Sequence, residues 1–310
     1  MLGRLPKLEH LGYAAQRFGG MGTLDLDGTK GLTPLMRATV MDRRLHADSA
    51  RTAKQIIAIL TAALATRAKV KTFKANCVPW ELFSRAPKQW RVLFGAAEHL
   101  VSLQLHFLNS ARFRRKNGSV VGANLAEFIG SARNLTTLDL DLAGASEEAS
   151  RSGLKVILEG CLNVAGLKRL VLQSMACREA TLKTIISHQA ETLRSLELGW
   201  IHLLSDSDID ERPGPSWVSI VESLQSTLKL SHVALEGRLG NGTNKKLATC
   251  SPEQCTNQAD PRVCDDEDTL RNRIQRYILH GGECPIPSED FWEREGTKDN
   301  KGDHSWHIYD

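Results

Sequence analysis

An α/β chain built on a parallel sheet is the fold class the sequence predicts, and three observations predict it. The first is a triplet of apolar residues with the spacing L-x-x-L-x-L, plainest in TLRSLEL at residues 192–198, where Leu193, Leu196 and Leu198 fall in phase. In a short strand reached by a turn, this spacing sends three side chains to one face and leaves the intervening residues on the other. The second is recurrence. Leu100, Leu103 and Leu105 repeat the pattern, as do Leu135, Leu138 and Leu140, then Leu167, Leu170 and Leu172, then Leu230, Val233 and Leu235. Weaker copies stand at Val70, Phe73 and Ala75 and at Leu8, Leu11 and Tyr13, the last a single match that chance could supply. The third is a helical stretch before each strong copy, because alternating helix and strand with short connections places the strands in parallel.

These features predict an irregular leucine-rich-repeat solenoid with the parallel sheet on the concave side, the helices on the convex side and a right-handed coil. From Val70 to Leu230, successive first positions lie 30, 35, 32, 26 and 37 residues apart, long and uneven beside the roughly 20–29 of regular repeats. Stacking is obligatory for such a unit. Its three apolar side chains gain roughly 1.5–3 kcal/mol each on full burial, and every residue ordered costs about 1–2 kcal/mol, so one copy alone loses.

Taken in order, residues 1–48 show glycine clusters at Gly19, Gly20 and Gly22, no sustained period, and at most a partial repeat. Residues 49–66 form the first helix, capped by Ser49, with Ile56, Leu60, Ala63 and Leu64 on one face. CVPWELF, from Cys77 to Phe83, reads as a turn and an apolar patch, and a second helix covers residues 88–98. Helices over residues 122–132, 147–162, 179–191 and 215–227 precede the next four triplets, the last opening at Pro215, where a missing N–H costs a first turn nothing. The solenoid therefore spans residues 49–239. A polar loop follows at 240–267. Residues 268–287 hold an amphipathic capping helix with Leu270, Ile274, Tyr277 and Ile278 on one face and Gly281 as its left-handed stop, and 288–310 form a polar, flexible tail.

The chain has 310 residues, 41% hydrophobic and 25% charged, which places it with globular rather than disordered chains. Its aromatic content of 5% suits helical layers better than an all-β sandwich, and a net charge of +4 gives little reason to expect a nucleic-acid or membrane partner. Lys7, Glu9 and His10 interrupt any secretory signal, and no stretch reaches the roughly 20 apolar residues of a membrane span. The expected location is cytoplasmic or nuclear, with the seven cysteines reduced.

Candidate chemistry is sparse. Cys250, Cys255, Cys264 and Cys284, with His280 near, lack the close pairs of zinc sites, so no metal and no cofactor is expected. Arg112, Arg114, Arg115 and Lys116 form a basic loop that suits phosphates or an acidic partner, or simply water. A metal- or nucleic-acid-binding module using these late cysteines and this loop is the alternative function. Asp139 and Asp141 share a strand face, but no nucleophile or phosphate-loop motif accompanies them, and the chain is expected to be non-catalytic. The positions between rung residues are Lys74, Gln104, Asp139, Lys168, Arg169, Arg194, Glu197 and His232. They would line the inner curve, where mixed charge suits protein recognition.

The uneven rungs, CVPWELF, the segment ETLRSLELGWIHL followed by SWVSIVESLQSTLKLSHVALEG, and the ending TLRNRIQRYILHGGECPI together resemble the leucine-rich-repeat half of filamentous-fungal F-box proteins, over roughly residues 50–287. The resemblance implies a substrate receptor of a cullin-based ubiquitin ligase, in which an N-terminal F-box holds the adaptor and the repeats hold the target. The chain departs from that pattern in two places. An F-box opens with something like L-P-x-E-[IL], whereas Leu5 and Pro6 are followed here by Lys7, Leu8 and Glu9, so no F-box is read and the chain is expected to be a truncated or diverged member or a free-standing repeat protein. Regular repeats also carry an asparagine three residues past the strand, where this chain has Leu108, Ala143, Met175, Ile201 and Arg238.

Overall fold

The computed structural model describes residues 8–13, 49–84, 94–107, 118–142, 157, 160, 163–204, 216–236, 239–240, 245–247, 270–286 and 293–294. The chain is α/β, and its seven longer strands pair in parallel within two compact units, Met1–Leu167 and Lys168–Asp310.

The first unit contains β1 (His10–Tyr13), β2 (Thr72–Val78), β3 (Ser102–Phe107) and β4 (Thr137–Asp141), with helices α1 (Ser49–Ala65) and α2 (Gly118–Ser131). The triplets lie in register. Leu11, Phe73, Leu103 and Leu138 are paired across the four strands, and so are Tyr13, Ala75, Leu105 and Leu140. All eight are buried, so the N-terminal match at Leu8 to Tyr13 is a rung of the same sheet; only its first position, Leu8, stays partly exposed.

A second regularity lies just before each strand. The Glu9 carbonyl accepts from Lys71 N–H at 2.8 Å and Thr72 N–H at 3.0 Å; Lys71 O accepts in the same way from Val101 and Ser102, and Val101 O from Thr136 and Thr137. One carbonyl thus satisfies two donors that a turn into a strand would otherwise leave unpaired.

CVPWELF proves to be a plug of the core. Trp80–Ser84 form a 3-10 turn, Trp80 stacks on Phe107 at 4.2 Å between ring centroids, and Phe83 meets Phe107 and Phe128 at 5.8 and 6.1 Å. Asn124 of α2 donates to the Phe83 carbonyl at 2.7 Å and ties the turn down. The helix read over 88–98 is described only for residues 94–98, of which 94–97 are helical and 98 begins a turn; of the one read over 147–162, only Ile157 and Gly160 are described, both helical. A Cβ on Gly160 would come within 2.6 Å of the Ala126 Cα, so backbone meets α2 directly there.

The second unit contains β5 (Arg169–Arg178), β6 (Ser195–Leu204) and β7 (His232–Glu236), with α3 (Glu179–His188), α4 (Trp217–Thr227) and α5 (Leu270–His280). Leu170, Leu196 and Val233 are paired, as are Leu172, Leu198 and Leu235, all buried. Lys168 O accepts from Arg194 and Ser195 N–H, and Arg194 O from Ser231 and His232 N–H. In the last triplet the first position departs from expectation: Leu230 is half-buried, and Leu228, directly after α4, is the buried residue. The α4 start sits at Trp217, with Ser216 as its cap; Pro215 lies outside the described residues.

Helix α5 packs against α4 and β7, with Ile274 and Ile278 buried and Gln275 donating to the Val233 carbonyl at 3.0 Å. Gly281, at φ 76°, donates to Tyr277 O and ends the helix in the left-handed conformation anticipated for it. The stretch read as polar loop and frayed tail contains three short strands at its margins: β8 (Leu239–Gly240), β9 (Lys245–Leu247) and β10 (Glu293–Arg294), where β9 pairs antiparallel with both others. Strands of two or three residues are too short to show a period, which is why the sequence reads as loop.

One device is not evident from the triplets. Cys77, Ser174 and Trp200 each stand two residues after a third rung position, and each has a left-handed backbone, with φ of 59°, 54° and 54°. Such a residue costs about 1–3 kcal/mol. It also shifts the alternation by one residue, so that Met175 and Cys177 of β5, and Ile201 and Leu203 of β6, face the core. Unbroken alternation would have sent Ser174 and Arg178 inward instead, and taking a charged side chain out of water costs several kcal/mol. Met175 and Ile201, which directly follow the left-handed residues of β5 and β6, are paired across the two strands and buried.

Candidate interaction surface

Between the rung residues, β2, β3, β4 and β6 turn polar side chains to the opposite face. In the first unit Lys74, Gln104 and Asp139 occupy one register row, exposed or half-buried. The three predicted residues of this unit are therefore brought together. His106, two residues beyond Gln104, joins them: its Nε2 lies 3.2 Å from Asp139 Oδ1 and 3.0 Å from the Gln104 side-chain amide, and His106 is paired across the strands with Asp141. A ring nitrogen bearing hydrogen donates to the carboxylate, and a flip of the Gln104 amide then presents its oxygen to the same N–H. His106 continues the period-two series Ser102, Gln104, His106, and counting past the triplet would have found it.

In the second unit the predicted residues fall in successive rows. Lys168 and Arg194 lie just before β5 and β6, Arg169 and His232 share the first row with Ser195, and Glu197 lies one row further, between Val171 and Ala234. Glu197 Oε1 accepts from Arg169 at 2.7 Å and is 4.0 Å from His232 Nε2. Arg194 is fixed differently: its guanidinium donates to the carbonyls of Leu193 at 2.8 Å and Glu191 at 2.7 Å, so its charge is held in place without a carboxylate. Val171, at the position equivalent to Glu197 in β5, is buried, so the polar face does not extend evenly along every strand.

Trp200 was not foreseen as a surface residue. It is 47% exposed on its left-handed backbone, because the bulge turns it out of the core phase. The cue lies in the pattern that follows, since Ile201 and Leu203 keep apolar phase only if residue 200 is skipped.

Among the described residues no group of three or more His, Cys, Asp or Glu side chains is arranged to hold a metal ion. Cys250, Cys255 and Cys264 lie outside the described residues, as do Arg112, Arg114, Arg115 and Lys116. No described helix is long and apolar enough to cross a membrane.

The chain matches no family model, no curated protein and no solved structure with which it was compared.

Proposed function

We propose that the chain is a non-catalytic protein-interaction scaffold: an irregular leucine-rich-repeat solenoid that uses its open sheet face as the target-binding portion of an F-box receptor does. The observation that carries this reading is the pairing of buried rung residues with polar side chains that line up in rows on the other face, Lys74 with Gln104 and Asp139, Arg169 with Ser195 and His232. Support also comes from the repeated carbonyl before each strand, which marks the copies as equivalent units. A face of ion pairs and half-exposed polar groups discriminates partners by charge. It carries none of the covalent machinery of a catalyst in a form the motifs would reveal.

Cross-linking with the whole chain in cells tests the reading. A captured protein should be lost with Asp139→Lys or Lys74→Glu, which reverse charges in the polar row of the first unit, and kept with Lys54→Glu, which changes an exposed residue of α1. Equal capture by all three variants would place the binding elsewhere and end the proposal. Recovery of a cullin adaptor with the target supports a ligase role; a target recovered without it leaves an interaction scaffold outside any ligase.

A further inference from the structure

On the open face of the second unit, the residues at the strand starts are unequal in charge. Lys168, Arg169 and Arg194 provide three cations, and His232 stands beside them as an exposed imidazole. Against them the face offers two carboxylates: Glu197, which is already bound by Arg169, and Glu236, which lies one row beyond it beside Gly199, away from the strand starts. Lys229 and Glu191, on the connections leading to these strands, offset each other. Lys168 and Arg194 make no ion pair with a carboxylate among the described residues, and Arg194 is preorganised by its two carbonyl contacts. Lys168 and Arg194, neighbours just before β5 and β6 with no carboxylate partner among the described residues, are complementary to an acidic segment that runs from the strand starts along β6.

A second feature lies further along the same strand. Trp200 combines an exposed indole with a left-handed backbone, a conformation that is a genuine outlier for a bulky residue. The bulge itself has a structural purpose, shared with Cys77 and Ser174, but the tryptophan does not: glycine or asparagine would make the bulge with less strain and less exposed apolar area. An exposed tryptophan gains its energy when a partner covers it.

We propose that this face binds an acidic, extended polypeptide segment, held by Lys168, Arg169 and Arg194 and anchored on Trp200. The assignment rests on the interaction-scaffold reading and names the partner's chemistry. The acidic side chains meet the cations at the strand starts, and an apolar or aromatic residue of the segment covers the indole.

The test is selection from an unbiased displayed peptide library against the whole chain, followed by affinity measurement on the selected peptides. Peptides enriched in Asp and Glu are expected, with affinity falling at least tenfold in Lys168→Glu and falling again as salt rises from 50 to 300 mM, about the range over which screening shortens to contact distance. Trp200→Gly should weaken the same peptides tenfold or more while raising the urea midpoint, an opposite pair of effects that a merely structural tryptophan would not give. Selected peptides without acidic bias, or affinity indifferent to Lys168→Glu, overturn the proposal and leave the scaffold standing. No enrichment over background overturns it too, while the cross-linking variants judge the scaffold separately. Unchanged affinity in Trp200→Gly removes the anchor.

Discussion

Leu196 and Arg194 are two positions apart, yet the strand gives them opposite fates. Leu196 is fully buried between Leu170 and Val233, whereas Arg194 is exposed and touches only carbonyls of its own turn. Leu196→Asp would bury a charge with no partner, at a cost comparable to the whole stability of a domain, and should abolish the cooperative urea transition. Arg194→Ala removes one part-buried and one exposed hydrogen bond from an exposed side chain and should cost no more than about 1 kcal/mol in the same melt. Similar small losses in both would dismantle the repeat reading. Cys177 provides a second residue-scale check: burial pushes its thiol up to about 12. Since the thiolate is the nucleophile, mass-spectrometric mapping of iodoacetamide labelling at pH 8 should find Cys177 unmodified in folded protein and modified in urea, whereas half-exposed Cys284 reacts in both.

At the scale of elements, Glu179 joins two helices. It opens α3, pairs with Lys183 at 2.7 Å and accepts from Ser216 N–H, the cap of α4, at 2.8 Å; Lys183 also donates to Ser219. Partial burial raises the carboxyl's pKa, but the Lys183 and Ser216 hydrogen bonds, with smaller help from Ser219 and the Lys183 charge, outweigh it and hold the group below its ordinary 4.5. A carboxyl depressed on folding stabilises above its unfolded pKa and loses that contribution as pH falls through the folded value. Glu179→Gln should therefore be less stable than the parent by about 0.5–1 kcal/mol at pH 7, allowing for solvent screening. The gap should close below pH 4 in urea melts taken across that range; a gap that persisted at pH 3 would mean packing rather than charge. These contacts were not legible in the sequence. Helix α3 itself was, from its period, but that Glu179 meets a cap 37 residues away depends on where α4 is laid.

Across the molecule, alternation runs through both units: odd steps from a rung residue in a strand face out and even steps face in, until a left-handed residue resets the count, with buried Val171 and Gly199 as exceptions. Alanine at Phe73, Leu103 or Leu138 should therefore cost about 2–5 kcal/mol through lost contacts and cavities. Alanine at Lys74, Gln104 or Asp139 in the same strands should stay within about 0.5 kcal/mol. A stability scan by proteolysis of displayed variants reads this directly, and period-two sensitivity over 72–76, 102–106 and 137–141 is the expected result. Uniform sensitivity along these strands would show that both faces are covered.

Much of this was determined by the sequence alone. Leucine spacing fixed which side chains enter the core, because a strand alternates faces whatever surrounds it, and even the weak copies at Leu11 and Phe73 proved to lie in register. The helices at 49–65 and 270–280 were equally legible, since their apolar period and stops are local properties. Tertiary structure decided the rest. That His106 reaches Asp139, that backbone at Gly160 abuts α2, and that Trp200 faces outward all depend on contacts between segments distant in the chain or on a backbone twist. Local spacing can assign a residue to a face. Only packing decides what stands beside it.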